Sequence, residues 1–284
     1  MSRNRLRVAI AYLRLPHAVP ILVVLASTAA FAVLAANGLP PRGQFVNLLL
    51  AMLGAQIAIG TVNELVDADT DARVKPHKPI PSGLVSVRAA WLLVAGSLAL
   101  MAAFGARLGS TSLVLCAVGT ALGIAYSLWF KRSVLAWLPY LVALPLLPIW
   151  VFASLGVYDA RLLMLYPLGV FAVIGVHVAQ SLPDVAADRA AGIRNLTTAL
   201  GERRALAVCL GAIALSALLA SSEAAIWEDG ATIVYVTSAS IVGLVLLNVV
   251  LYLSHPRAGV MACFPCVAVA TAGLGLAWVL AVGR

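Results

Sequence analysis

Apolar stretches of about 20 residues recur along the chain, separated by short polar segments. A stretch of this length crosses a bilayer as a helix, because a helix satisfies its backbone hydrogen bonds within one segment. Nine such stretches lie at residues 18–36, 45–62, 89–106, 112–130, 134–155, 162–182, 205–221, 231–254 and 259–282. The sequence therefore predicts an all-α integral membrane protein with about nine transmembrane helices, folded as one domain over residues 1–284.

The positive charges are distributed unequally between the two sets of alternate loops. Of the 19 Lys and Arg residues, all but four lie in the set that includes the N-terminus. The exceptions are Arg42, Arg107, Arg161 and Arg284. By the positive-inside rule, the N-terminus is expected in the cytoplasm and the C-terminus outside, in a multi-pass protein of the inner (cytoplasmic) membrane. The net charge of +8 is spread over short loops, so we expect no nucleic-acid partner.

The second predicted span leads into an acidic stretch at residues 63–83. Asn63, Asp67 and Asp71 are four residues apart, so a continuing helix would present all three on one face. Carboxylate and amide oxygens suit Mg²⁺ better than zinc. Four basic or imidazole side chains follow, namely Arg73, Lys75, His77 and Lys78. Cations beside metal-binding carboxylates indicate a phosphorylated ligand, although a solvated loop that orients the topology is the alternative interpretation.

A second acidic pair follows the sixth predicted span. Asp184 and Asp188 are again four residues apart, and Arg189 and Arg194 lie alongside. Both acidic segments are predicted at cytoplasmic ends of spans, four helices apart, which indicates a weak parallel repeat. Two carboxylate clusters can hold Mg²⁺ ions around a diphosphate, while apolar helices hold a hydrocarbon tail and exclude water. The sequence has no P-loop or dinucleotide glycine pattern, so a lipid-tailed diphosphate is the expected ligand.

These segments resemble the motifs of the UbiA superfamily of intramembrane prenyltransferases. Residues 63–71 are similar to its N-D-x-x-D-x-x-x-D motif, and residues 184–188 followed by Gly192 are similar to its D-x-x-x-D motif. Residues 125–132 resemble its Y-S-x-x-x-K element, residues 78–83 its R-P-I-P-S-G turn, and residues 13–17 its L-x-R-P-H segment with one residue inserted. The resemblance covers nearly the whole chain. Glu64 departs from it, because aspartate is the usual residue there.

The resemblance implies a helical bundle with a central cavity that opens to the cytoplasm. It implies that Mg²⁺ is bound by Asn63, Asp67, Asp71, Asp184 and Asp188, and that the four aspartates are catalytic. It further implies that the diphosphate contacts Asn63, Arg73, Lys78, Tyr126 and Lys131. An interfacial anchor is the alternative role for Tyr126. The longer side chain of Glu64 leaves its part in metal binding open.

The expected activity is Mg²⁺-dependent transfer of a prenyl group from a polyprenyl diphosphate to an acceptor inside the membrane. By resemblance, an aromatic ring of the kind used in quinone biosynthesis is the first candidate acceptor. A glycerol-phosphate lipid, a chlorophyll precursor or another acceptor that is not aromatic is the alternative. A terpene cyclase of the same fold, which needs no acceptor, is another. A transporter is disfavoured, because the ionisable residues lie at helix ends on one side.

Two histidines and a cysteine pair complete the set of candidates. His177 is either a base for the ring proton or a buried histidine bonded to a neighbouring helix, and the second interpretation is preferred. His17 either positions the acceptor or lies at the interface. Cys263 and Cys266 form a C-x-x-C, but they have no second pair or nearby histidine. Helix packing is therefore their expected role.

Overall fold

The structure is a computed structural model that describes residues 10–13, 15–131, 133, 135–190, 196–226 and 231–283. Within these ranges the regular secondary structure is helical and no strand occurs. The helices are α1 (Ala18–Ala35), α2 (Arg42–Val74), α3 (Val87–Ala106), α4 (Ser110–Ala125), α5 (Leu138–Ser154), α6 (Leu165–Ser181), α7 (Val185–Ala190), α8 (Leu196–Leu200), α9 (Glu202–Ala224), α10 (Ala231–Ser254) and α11 (Pro256–Val282).

Eight helices in the described ranges are long and apolar enough to cross a membrane. They match every predicted span except the fifth, which corresponds to the 17-residue apolar helix α5. A helix of this length extends about 26 Å, close to the thickness of the bilayer hydrocarbon. The predicted all-helical, multi-pass membrane fold is confirmed. The central cavity that opens to the cytoplasm stays a prediction.

Helix α5 begins later than expected. The predicted span started at residue 134, whereas α5 starts at Leu138. Pro139 explains this start, because proline is tolerated in the first turn of a helix, where its missing N–H would have no partner. Two further prolines, Pro145 and Pro148, lie inside the helix. Each removes one backbone donor, which membrane helices tolerate when neighbours satisfy the freed carbonyl.

Helix α2 carries the first acidic stretch beyond the membrane core. Its 33 residues extend about 50 Å, against about 30 Å for bilayer hydrocarbon, so its last turns can reach water. The helix ends where the Lys75 N–H donates to the Asp71 carbonyl at 2.7 Å. A turn then reverses the chain, with Gly83 at φ 73°, and the Ser86 side chain caps α3. The turn brings residue 78 back beside α2.

The chain forms two compact units. The first takes in Met1–Lys131 and Val142–Tyr158. In its core, Leu48 and Ala55 of α2 pack with Met101 of α3 and Trp150 of α5. Helices α2 and α3 approach closely at Gly54, where an added Cβ would lie 2.6 Å from a backbone oxygen of α3. Small residues of this kind allow close helix packing in membranes. That residues 1–284 act as one domain stays a prediction.

The second unit takes in Arg132–Leu141 and Asp159–Arg284. Hydroxyl groups join its helices: Ser216 of α9 donates to the Leu168 carbonyl of α6 at 3.1 Å. Ser238 of α10 likewise donates to the Ala217 carbonyl of α9 at 3.1 Å. Interhelical hydrogen bonds of this type stabilise helix pairs where hydrophobic burial offers little advantage over lipid.

Candidate active site

The first acidic stretch forms one polar face at the end of α2. The helix runs without a break to Val74, which confirms that the second predicted span continues through this stretch. Asn63, Asp67 and Asp71 therefore lie one above another, one turn apart. Their side chains are partly or largely shielded, with 16% of Asp67 and 10% of Asp71 exposed. Carboxylates at this depth need cationic partners, and two lysines supply them.

Lys131 contacts the first half of this face. Its ammonium donates to the Asn63 side-chain oxygen at 2.8 Å and forms an ion pair with Asp67. A π-helical turn, Tyr126–Phe130, follows α4 and leads to this lysine, whose N–H donates to the Tyr126 carbonyl at 2.8 Å. Such turns change the register of a helix and occur often at functional sites. A π-helical turn contains more residues than an α-helical turn, and this difference sets the direction of the chain at Lys131, after α4.

Lys78 contacts the second half of the face. Its ammonium donates to Asp71 and to Glu64, both at 2.6 Å. Burial by itself lowers the pKa of the Lys78 ammonium, but the hydrogen bonds to the two carboxylates outweigh this effect and raise the pKa above its ordinary value. Lys78 is therefore a cation. Both lysines predicted to contact a diphosphate lie among the predicted metal ligands of α2.

Glu64, which had no assigned role, is the most buried carboxylate of the group. Only 2% of its side chain is exposed. It contacts the Lys78 ammonium at 2.6 Å and the His17 ring at 3.0 Å. Sequence reasoning missed both contacts. One signal was present, because residues 64 and 71 are seven apart and lie on the same side of a helix after two turns. Glu64 and Asp71 therefore form a second row of polar side chains on α2, beside Asn63 and Asp67.

The second acidic segment lies in the second unit. Asp184 is exposed, Asp188 is partly buried, and the Asp188 N–H donates to the Asp184 carbonyl at 2.8 Å, which places them one turn apart. Arg189 donates through two N–H groups to the Thr198 carbonyl at 2.9 and 2.7 Å. This contact joins α7 to α8. Residues 192 and 194, which also featured in the prediction, lie outside the described residues.

The remaining candidates occupy varied positions. Arg73 is exposed in the last turn of α2, and Tyr126 is partly buried at the start of the π-helical turn. His177 lies partly buried in α6. Cys263 is buried and Cys266 partly buried on α11, where the Cys266 thiol faces the Leu244 carbonyl at 3.7 Å. These cysteines are free thiols in a helix-packing position, in line with the expected role.

The side-chain oxygens on the polar face of α2 are candidate metal donors. In the described part of the chain, no group of three or more His, Cys, Asp and Glu side chains is assembled as a metal site. Within α2, however, Asn63, Asp67 and Asp71 offer amide and carboxylate oxygens from one face, with lysines against them. This donor set fits Mg²⁺, a hard cation that binds through a few carboxylates and substrate phosphates.

Together these features define a multi-pass membrane protein with carboxylates and lysines paired at the end of a long helix. Residues 23–283 match the family model described as the UbiA prenyltransferase family. The chain belongs to this family, and it is a transferase of prenyl groups.

Curated relatives with different acceptors match the chain. It is 28% identical over 198 residues to digeranylgeranylglyceryl phosphate synthase of Natronomonas pharaonis, covering 65% of this chain and 71% of that protein. It is 32% identical over 209 residues to protoheme IX farnesyltransferase of Geotalea uraniireducens, covering 70% of this chain and 78% of that protein.

A solved structure has the same fold. It is a UbiA homologue from Archaeoglobus fulgidus, bound to GPP and Mg²⁺, with a TM-score of 0.61 and 22% identity. The match covers 95% of this chain and 99% of the other. This likeness agrees with the helical architecture described above.

Proposed function

We propose that this protein catalyses Mg²⁺-dependent transfer of a prenyl group from a polyprenyl diphosphate to an acceptor within the membrane. The observation that carries the proposal is the pairing of two lysines with the oxygens of α2: Lys131 with Asn63 and Asp67, and Lys78 with Glu64 and Asp71. Carboxylates that accept lysines can also accept Mg²⁺, and each lysine ammonium has three N–H donors, so one remains for a phosphate oxygen. The Archaeoglobus homologue with bound GPP and Mg²⁺ supports this assignment.

The proposed metal ligands are Asn63, Asp67, Asp71, Asp184 and Asp188, by family resemblance and by the oxygen chemistry of the donors. Bound Mg²⁺ would neutralise charge on the departing diphosphate.

The chain's own groups bind and orient the substrate. Lys131 and Lys78 donate to phosphate oxygens, and Arg73 and Tyr126 are further candidate donors. The allylic carbon–oxygen bond breaks with its electron pair on the diphosphate, the acceptor bonds to the allylic carbon, and the acceptor then loses a proton. The apolar helices hold the hydrocarbon tail and keep water away from the allylic cation.

An aromatic ring is the first acceptor in this proposal. A glycerol-phosphate lipid is the second candidate, and the likeness to the synthase of Natronomonas pharaonis favours it. The protein is proposed to lie in the cytoplasmic membrane, and the distribution of Lys and Arg supports an orientation with the acidic segments and the N-terminus on the cytoplasmic side. Diphosphate would then leave towards the cytoplasm.

An assay of diphosphate release tests the proposal. It uses purified protein in lipid nanodiscs with geranylgeranyl diphosphate and Mg²⁺. Diphosphate release is measured without acceptor, with an aromatic acid and with geranylgeranylglyceryl phosphate, and products are identified by mass spectrometry. Transfer to one acceptor supports the proposal and names the acceptor class. A cyclic hydrocarbon formed without acceptor would show a cyclase instead. No diphosphate release under any condition would overturn the proposal.

Paired variants test the site itself. Asp67→Asn and Asp71→Asn are expected to abolish diphosphate release, because each removes a proposed metal ligand. Asp69→Asn is the matched control, since Asp69 is exposed on the same helix two residues from each aspartate. Its activity should equal that of the unmodified protein. Normal turnover in the Asp67 or Asp71 variant would contradict the assignment.

A further inference from the structure

Glu64 differs from the other carboxylates of α2 in depth and in partners. Only 2% of its side chain is exposed, against 16% for Asp67 and 10% for Asp71. One of its oxygens, Oε1, meets both Lys78 at 2.6 Å and His17 at 3.0 Å. A carboxylate buried to this extent is stable only when hydrogen-bonded to donors or cations. Glu64 therefore holds two groups from separate segments of the chain.

His17 reaches Glu64 through an unusual backbone arrangement. An added Cβ on Gly60 would lie 2.3 Å from the Pro16 carbonyl oxygen, so the segment before α1 rests directly on α2, one turn before Glu64. His17 has φ 60° and ψ 79°, a left-handed conformation that few residues other than glycine adopt. Such strain persists where surrounding contacts fix it, often at functional sites. The contact between His17 and Glu64 is one of the contacts that fix this backbone conformation.

The His17 ring lies between two side chains of α2, with Nε2 3.0 Å from Glu64 Oε1. Nε2 donates to Glu64 when it carries a proton and accepts from the Asn63 amide when it does not. The ring lies beside the first proposed metal ligand as well, with Nε2 3.4 Å from the Asn63 side-chain nitrogen. With 38% of its side chain exposed, His17 remains accessible from outside the site.

Lys78 is fixed from two directions. It belongs to the turn after α2, and its ammonium meets Glu64 and Asp71, which lie two turns apart on the helix. With Asp71 as its only partner, the Lys78 side chain could rotate about that one contact. Two carboxylates hold the ammonium at one point beside the face that carries Asn63 and Asp67. The conformational entropy of the Lys78 side chain is therefore lost when the protein folds, and not when the diphosphate binds.

We propose that Glu64 is a positioning residue and not a metal ligand. It anchors Lys78 and His17 at the acidic face of α2, so that the lysine is already in place when a prenyl diphosphate arrives. This inference rests on the proposed function and deepens it, because it separates a carboxylate that organises cations from the carboxylates that bind metal. Burial supports the separation, because the Glu64 side chain is less exposed than those of Asp67 and Asp71.

The two roles predict different kinetics. Glu64→Gln keeps the shape but removes the charge that holds both donors. We expect the KM for geranylgeranyl diphosphate to rise about tenfold, the loss that follows from one charge-assisted hydrogen bond. The Mg²⁺ concentration for half-maximal activity should stay unchanged. A rise in the Mg²⁺ requirement equal to that of Asp67→Glu would show a metal ligand and overturn the inference, as would kinetics identical to the unmodified protein.

Combined variants test whether Glu64 acts through Lys78. Lys78→Met alone should raise the KM, and adding Glu64→Gln should raise it by less than Glu64→Gln does in the unmodified protein, because only the His17 contact then remains to be lost. Fully additive losses would overturn the inference. Should Glu64→Gln fail to fold, Glu64→Asp replaces it. This variant keeps the charge and withdraws the carboxylate from both donors, so the same rise in KM is expected.

A readout that needs no turnover distinguishes the two proposals. Amine acylation followed by peptide mass spectrometry measures how accessible Lys78 is. Glu64→Gln should increase the labelling of Lys78 several-fold, while Lys75, an exposed lysine three residues earlier, should be unaffected. Unchanged Lys78 labelling overturns the inference. If Lys78 labelling rises but unmodified protein releases no diphosphate with any acceptor, the anchor is present and the proposed function is what fails.

Discussion

The ammonium group of Lys131 lies 2.8 Å from the side-chain oxygen of Asn63, although the two residues are 68 positions apart in the chain. The same ammonium pairs with Asp67, one turn further along α2. We expect Lys131→Met to lower kcat/KM for the prenyl diphosphate at least about tenfold, because a hydrogen bond between charged groups contributes ~1.5–3 kcal/mol. Steady-state kinetics of the purified variant in nanodiscs measures the change.

Lys75→Met is the control for Lys131→Met. Lys75 is exposed at the end of α2, so this variant removes the same charge without touching the Asn63 side chain. Its activity should change less than twofold if only direct contacts matter, because exposed charges are screened. Equal losses in both variants would mean that the general positive field, and not the Lys131 contact, supports the reaction.

Much of this arrangement follows from local patterns. Apolar runs of about 20 residues predict the helices, since length and apolar composition together decide whether a segment can span a bilayer. The spacing of four between Asn63, Asp67 and Asp71 predicts their common face once α2 continues past residue 62. Family resemblance adds Lys78 and Lys131 as candidate contacts of the diphosphate. These elements could be predicted because each depends on neighbours within two helical turns or on a motif.

The position of Glu64 could not be predicted in the same way. Its contacts join three segments, and one of them depends on Pro16 resting on Gly60, where the absence of a Cβ permits the approach. Nothing near His17 in sequence indicates a left-handed backbone there. Similarly, the π-helical turn before Lys131 replaces the last turns of a predicted regular span. Tertiary contacts decide each of these features.

Arg189 gives a test of the second acidic segment. Its guanidinium donates twice to the Thr198 carbonyl and so joins α7, which carries Asp188, to α8. We expect Arg189→Met to reduce diphosphate release several-fold, because α7 is too short to be stable without tertiary contacts. Arg203→Met, which removes an exposed arginine from α9, is the comparison. If the two variants release diphosphate equally fast, the α7–α8 connection has no bearing on activity.

Trp150 tests the packing of the first unit. Its indole N–H donates to the Ser112 carbonyl at 3.0 Å and to the Ser112 hydroxyl at 2.9 Å, and the ring is buried. Trp150→Phe should lower the free energy of unfolding by about 1–2 kcal/mol, since the buried Ser112 groups lose their donor. Thermal unfolding in detergent measures this. Trp91→Phe is the matched change at an exposed ring, and an equal shift there would show that loss of aromatic area is the cause.

Gly60 links packing to the site, and two alanine variants on α2 isolate its effect. A Cβ at Gly60 would lie 2.3 Å from the Pro16 carbonyl oxygen, so Gly60→Ala must push the segment before α1 away from the helix. His17 would then lose Glu64, and we expect a lower Tm together with a raised KM for the prenyl diphosphate. Gly43→Ala, on the same helix with nothing within 4 Å of the added Cβ, should leave both quantities unchanged or raise the Tm slightly, because alanine favours helix. A Gly60→Ala protein with normal Tm and normal KM would show that the approach of Pro16 to α2 does not support the site.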